Sequence, residues 1–304
     1  MSRVVVLGAG GMAGHMLVQY LTERGHDVTA VKRRGTDSPL NTRQVHLDLR
    51  DHDRLLAALS QLRPDTVVNA AGILNDAAAE RAEEARLINS LLPHRLAEWG
   101  DKLGYRLIHI STDCVFSGQD GPYNETAEPD GTSAYAVSKS LGEVMQAGHL
   151  TIRTSIIGPE LKRDGIGLFH WFMMQEGKLS GYSRVYWNGV TTLELASFVD
   201  RMLANPLDGI VHLSASERVS KHELLMLFRE AFRNGHHVDI EPCDKLQHDK
   251  SLLNTRSDMA PYPVPDYPEM LRRLAEWMKD HEELYAQYRL DGIAGKASDR
   301  RSLD

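Results

Sequence analysis

The chain is expected to fold as an α/β protein, a doubly wound parallel sheet followed by a smaller C-terminal part. Three observations predict it. Short aliphatic and β-branched runs alternate with stretches of helical spacing through the first 154 residues. The first run ends in glycines at three-residue intervals, Gly8, Gly11 and Gly14. After about Thr154 the alternation gives way to mainly helical patterning.

Residues 4–7, Val-Val-Val-Leu, read as a buried parallel strand. Residues 12–24 have helical spacing, which Gly25 stops. Residues 28–31 and the short 46–48 read as strands two and three, and 52–62 as a helix. The fourth strand, 66–69, closes in Ala70-Ala71-Gly72. A long helix over 80–102 carries Pro93, which predicts a kink. Residues 107–110 read as the fifth strand, and 150–153 as the sixth. Between them a helix holds Tyr135 and Lys139 and runs on to about Gln146. Later, 168–175, 193–204 and 221–233 read as helices, and 210–213 as a strand that extends the sheet. The proline-rich run 261–265 is a stiff connector before an amphipathic helix over about 268–288. Residues 291–304 are polar and aperiodic and are expected to be disordered.

The bulk numbers narrow the function. A chain of 304 residues with 42% hydrophobic content can build a full core. A net charge of -7 argues against nucleic acid held by a general positive field. Cys114 and Cys243 form neither a disulfide framework nor a zinc spacing. His236-His237 lack further ligands, so no metal is expected. No signal peptide and no bilayer-length apolar run is read, which makes a cytoplasmic, reducing setting the expectation and leaves membranes out as partners.

Two constellations carry chemistry. The first is the turn with Gly8, Gly11, Met12 and Gly14 between strand and helix. Glycine lets backbone approach a pyrophosphate, and the helix start offers free N–H groups to it. A dinucleotide is therefore expected. Strand two ends in Lys32-Arg33-Arg34 with no acid until Asp37. Guanidinium forks match a 2′-phosphate, which favours NADPH over NADH. Asp48, followed by Leu49, either bonds adenine or caps the helix near His52. Asn69, Ala70, Ala71 and Gly72 line the cofactor groove in this reading, and Asn89 is either a surface residue or a hydrogen-bonding group there. The second constellation is Ser111-Thr112-Asp113-Cys114-Val115-Phe116 with Tyr135 and Lys139. Residues four apart share a helix face, so the lysine charge is expected to lower the phenol's pKa. Tyr135 then serves as general acid or base and Thr112 holds the substrate carbonyl, with Asp113 turning the loop or touching substrate.

These pieces, with residues 121–125, Gly142-Glu143 and 153–159, resemble the extended short-chain dehydrogenase/reductase superfamily. The resemblance is closest to its dTDP-4-dehydrorhamnose reductase branch. Weaker matches follow at 189–196 and 251–256. The resemblance implies a Rossmann domain over 1–154, completed by parts of 190–215. It implies a mainly substrate-binding region over 155–290. It also implies NADPH-dependent reduction of the C4 ketone of a 4-keto-6-deoxy nucleotide-sugar. Thr112, Tyr135 and Lys139 would be catalytic, and Asp113, Val115, Phe116, Trp187, Thr192 and Arg256 would face the substrate. Arg256 is the first choice for the pyrophosphate, ahead of Lys178 and Arg184. The chain departs from the branch at Cys114, usually aromatic, at Ala136, commonly glycine, and at Thr191, often proline. Epimerases, dehydratases and noncatalytic NADP-binding regulatory subunits share the fold. A dehydratase would want a glutamate after Asp113, where this chain has Cys114. A homodimer is left open.

Overall fold

The computed structural model describes residues 1–33, 40–232 and 238–288. Six strands come from the N-terminal half: β1 (Arg3–Leu7), β2 (Asp27–Lys32), β3 (Arg43–His46), β4 (Thr66–Asn69), β5 (Arg106–Ile110) and β6 (Leu150–Arg153). A seventh, Gly209–His212, arrives later in the chain and pairs with β6. The sheet is parallel throughout, in the order Gly209–His212, β6, β5, β4, β1, β2, β3. Both faces are covered, which is why the strands read as unbroken apolar runs. Val4 and Val6 join one core cluster and Val5 and Leu7 the other, the period-two alternation of a strand.

Helix α1 (Met12–Glu23) follows β1 directly. The helix Thr192–Ala204 packs beside it and is capped by Thr191, whose hydroxyl accepts from the Glu194 N–H at 3.1 Å. The place where the branch often has proline thus holds a cap. The final helix, Tyr267–Asp280, and the 3₁₀ turn Glu282–Leu284 after it fold back on α1. There Tyr20 meets Trp277 and His15 meets Tyr285.

The structure corrects several elements. The third strand is Arg43–His46, ahead of the 46–48 expected. The 80–102 helix is four pieces: Asp76–Glu80, Ala82–Ala85, a π-helical turn Arg86–Leu91, and Leu92–Leu103. Pro93 stands in the first turn of the last piece, where its missing N–H costs nothing. The Tyr135 helix is only Ala134–Ser140. It ends where Gly142 closes on the preceding layer: a Cβ there would lie 1.8 Å from the Asn89 carbonyl oxygen. Two long strands were not expected, Gly177–Trp187 and Val238–Asp249. With Val219–Ser220 they form a separate three-stranded sheet. Arg34, Arg233, His236, His237 and the 291–304 tail lie outside the described residues.

Candidate active site

The carboxyl ends of the parallel strands open into one cleft of about 510 Å³. Such a crevice is where open α/β sheets take ligands. Gly8 turns the chain out of β1 with φ +77°, and a Cβ on it would sit 2.8 Å from the Ala71 backbone. Gly14 is not a lining residue. It lets α1 start close, since a Cβ there would fall 2.1 Å from the Gly8 carbonyl oxygen. Gly8, Gly11 and Met12 line the cleft, as do Ala70, Ala71 and Gly72 opposite. The N–H groups of the first turn of α1 have no intrahelical acceptor.

One end of the cleft is formed by Lys32, Arg33, Asp48, Leu49 and Glu84. Asp48 does not cap the next helix; Asp51 does, accepting from the Arg54 N–H at 3.1 Å. Asp48 instead pairs with Arg50, whose hydrogen bonds hold its carboxyl below the usual range. Arg33, Arg50 and Arg81 converge on Glu84, at 4.0, 4.0 and 3.1 Å. Arg50 and Arg81 were not singled out from sequence, because helix and loop segments far from β2 supply them.

The other end holds Thr112, Asp113, Cys114, Tyr135 and Lys139. Thr112 is buried; its hydroxyl donates to Asp113 Oδ1 at 3.2 Å and accepts from the Cys114 N–H at 3.1 Å. Desolvation pushes the Tyr135 phenol above its ordinary pKa, while hydrogen bonding with Thr112 pulls the other way. This reverses the expected depression by Lys139. The lysine is buried and its Nζ is engaged elsewhere, at 2.8 Å from the Ile110 carbonyl and 3.3 Å from His109 Nε2. Burial lowers its pKa to about 8. Burial also pushes the Cys114 thiol up to about 12, which disfavours the reactive thiolate.

Asn69 and Asn89 are buried beneath the cleft wall rather than in it. Asn89 ties the Ile73 N–H and carbonyl, at 2.8 and 2.9 Å, to Ser138 Oγ at 3.0 Å. It therefore joins the exit of β4 to the Tyr135 helix.

Five residues expected to face substrate lie outside the cleft lining. Val115 and Phe116 are fully buried, and Phe116 stacks on Tyr123 at 4.1 Å. Trp187 is core, packed on Tyr267. Thr192 is core too, pressed against Gly158. Arg256 bonds Asp258 and the carbonyls of Asp208 and Ile210. Those carbonyls mark the start of the parallel strand Gly209–His212, the sheet edge opposite the cleft. Sequence reasoning passed over two other cations. Lys221 rests its ammonium 4.7 Å from the centre of the Trp187 ring, and Lys221 and Lys250 both act on the buried Asp113 carboxyl. Nothing in sequence links them, since they arrive from a helix start and a strand end. Among the described residues, no group of three or more His, Cys, Asp or Glu could hold a metal ion. No described helix is long and apolar enough to cross a membrane.

Similarity to known proteins agrees with this geometry. The Bacillus subtilis spore coat polysaccharide biosynthesis protein SpsK is 27% identical over 236 residues, 76% of this chain and 79% of that one. A dTDP-4-dehydrorhamnose reductase of Streptomyces griseus is 35% identical over 143 residues, 46% of this chain and 43% of its own. The chain thus spans under half of that reductase. A solved structure, a hypothetical dTDP-4-dehydrorhamnose reductase from Sulfolobus tokodaii, superposes with a TM-score of 0.74 at 27% identity. The superposition covers 87% of this chain and 98% of that one. The RmlD substrate binding domain matches residues 2–276, and the chain belongs to that family.

Proposed function

We propose that the protein reduces the C4 ketone of a 4-keto-6-deoxy nucleotide-sugar with NADPH. The observation that carries this reading is one continuous cleft. It joins the Gly8–Gly11 turn and the end lined by Lys32 and Arg33 to Thr112, Tyr135 and Lys139. The residues fit the dinucleotide: the close approach of Gly8 to Ala71 and the open first turn of α1 suit a pyrophosphate. Lys32, Arg33 and Arg50 would meet a 2′-phosphate. When bound, the cofactor supplies a hydride.

The chain's own residues do the rest. Thr112 donates to the carbonyl oxygen and holds it toward Tyr135. Tyr135 gives that oxygen its proton; burial makes the phenol a weaker acid, and the basicity of the developing alkoxide beside it draws the proton across. Lys139 binds on the cofactor side. Lys221 and Lys250 do not line the cleft, but both act on the Asp113 carboxyl that does, and would offset its charge where the anionic part of the substrate binds. Residues 1–154, completed by the returning strand near 209–212, serve the cofactor, and residues 155–290 mainly serve the substrate.

The test is NADPH and NADH oxidation across a panel of 4-keto-6-deoxy sugars on dTDP, UDP, GDP and CDP. Turnover with at least one sugar, faster with NADPH, is expected. Tight cofactor binding with no turnover on any of them would sink the reductase reading.

A further inference from the structure

A line of buried hydrogen bonds runs beneath the cleft from its wall to Lys139. The Ala71 N–H donates to Asn69 Oδ1 at 3.2 Å. Asn69 Nδ2 lies 3.1 Å from His109 Nδ1, and His109 Nε2 lies 3.3 Å from Lys139 Nζ. Lys139 also donates to the Ile110 carbonyl at 2.8 Å. Asn69 and His109 are register partners on β4 and β5, so their side chains share a face. All three side chains are buried.

Counting donors along this line gives two states. A backbone N–H can only donate, so Asn69 turns its oxygen to Ala71 and its amide N–H to His109. Nδ1 of His109 is then an acceptor. A neutral imidazole has one N–H and one lone pair, so the proton sits on Nε2 and points at Lys139. Only an uncharged amine can accept it. A charged Lys139 has donors alone. His109 must then offer its lone pair at Nε2 and carry its proton on Nδ1. Asn69 must turn its oxygen to His109, and the Ala71 N–H loses its acceptor. Ala71 lines the cleft against the glycine turn.

We propose that His109 is a positioning residue whose tautomer couples the charge of Lys139 to the Ala71 N–H of the cofactor cleft. Protonating Lys139 leaves the Ala71 N–H, which points at Asn69 beneath the cleft wall, without its acceptor, and a ligand that turns this peptide toward the cleft and accepts from it favours the charged lysine. The proton taken up comes from solvent; none is consumed.

The surroundings support an exchange confined to these groups. Full burial holds the His109 pKa well below its ordinary value, so the ring stays neutral while Lys139 titrates near 8. Lys139 and His94 act on His109 in the same direction, and His94 is bonded to the Leu141 carbonyl at 2.9 Å. Glu143 is the acid facing Lys139, and it is paired with Arg153 at 2.7 Å and with the Ser111 hydroxyl at 2.7 Å.

The deciding measurement is nitrogen NMR of the full chain carrying labelled histidine, with His109 assigned by its loss in His109→Gln. The expected result is a ring that stays neutral and moves its proton from Nδ1 to Nε2 as pH rises through the Lys139 titration. In Lys139→Met the ring should hold Nε2–H throughout. One tautomer at every pH in the unaltered protein, or conversion to imidazolium in the ordinary histidine range, overturns the proposal. Should His109→Gln not fold, the Lys139→Met spectrum identifies the ring that has lost its switch.

A second arm rests on the cofactor reading. NADPH affinity should weaken as pH rises through the same titration, by about tenfold for one hydrogen bond to a charged ligand. His109→Gln, which has no tautomers to exchange, should flatten that fall; an unchanged fall speaks against the coupling. If NADPH binds at no pH, the cofactor reading fails and the tautomer measurement alone decides.

Discussion

Tyr135 meets the cleft with a phenol that burial makes harder to ionise. A phenol is already protonated at neutral pH, so the shift adds nothing to its acidity, and the alkoxide forming on the substrate has to draw the proton. Tyr135→Phe should lower kcat by roughly 10²–10⁴-fold, the usual share of general acid catalysis. NADPH affinity should stay within a few-fold. Steady-state rates and a fluorescence titration check both halves. Thr192 makes the opposite case. Its hydroxyl is buried without a hydrogen-bond partner, beside Gly158. Replacing such a hydroxyl by a methyl of the same shape is neutral or stabilising. Thr192→Val should therefore leave KM unchanged and hold or raise the melting temperature. A KM raised tenfold would return Thr192 to the substrate. Thr112, Tyr135 and Lys139 could be read from sequence because helix spacing and a strand end bring them together locally. Trp187 and Arg256 could not, because their partners, Tyr267 and the carbonyls of 208 and 210, come from distant segments.

The elements that place the proposed catalytic groups are short and rely on close backbone contacts. The Tyr135 helix, Ala134–Ser140, is held by Asn89 and by the approach of Gly142 to the π turn. Gly142→Ala forces a methyl into the Asn89 carbonyl. Overpacking of this kind costs about 1–3 kcal/mol. The denaturant midpoint should fall accordingly, and kcat should fall with it because the helix carries both Tyr135 and Lys139. Retained stability and rate would mean that the layers separate more easily than the contact implies. The strands of the main sheet were legible because burial on both faces leaves an unbroken apolar run. Val238–Asp249 was not legible. It is an edge strand, largely exposed and interrupted by Pro242, so neither alternation nor hydrophobicity marks it.

For the molecule as a whole, acid is the stress to watch. His15 is fully buried against Tyr285, and burial lowers its pKa to about 4. The unfolded chain would bind that proton near 6.5. Between these values the unfolded state holds more protons, so stability is full above about 6.5 and is lost as pH falls toward 4. The size is on the order of 3 kcal/mol. Melting curves over that window should fall less steeply for His15→Gln than for the unaltered protein; equal slopes would assign the loss to other groups. The fold class was readable from the first 154 residues, as was the return of a strand near 210. The path of the C-terminal helix back onto α1 was not, because its contacts with Tyr20, Glu23 and His15 span most of the chain. The returning strand also bears on fragments. A gene stopped after Thr154 would encode β6 with an open flank and α1 without the helix Thr192–Ala204. An unpaired edge of that kind is a template for aggregation. The N-terminal half is thus no detachable module. A chain nicked between 155 and 190 would keep its two pieces together by the pairing of Gly209–His212 with β6 and by the helices that pack on α1, and the pieces could be supplied separately only as a complementing pair.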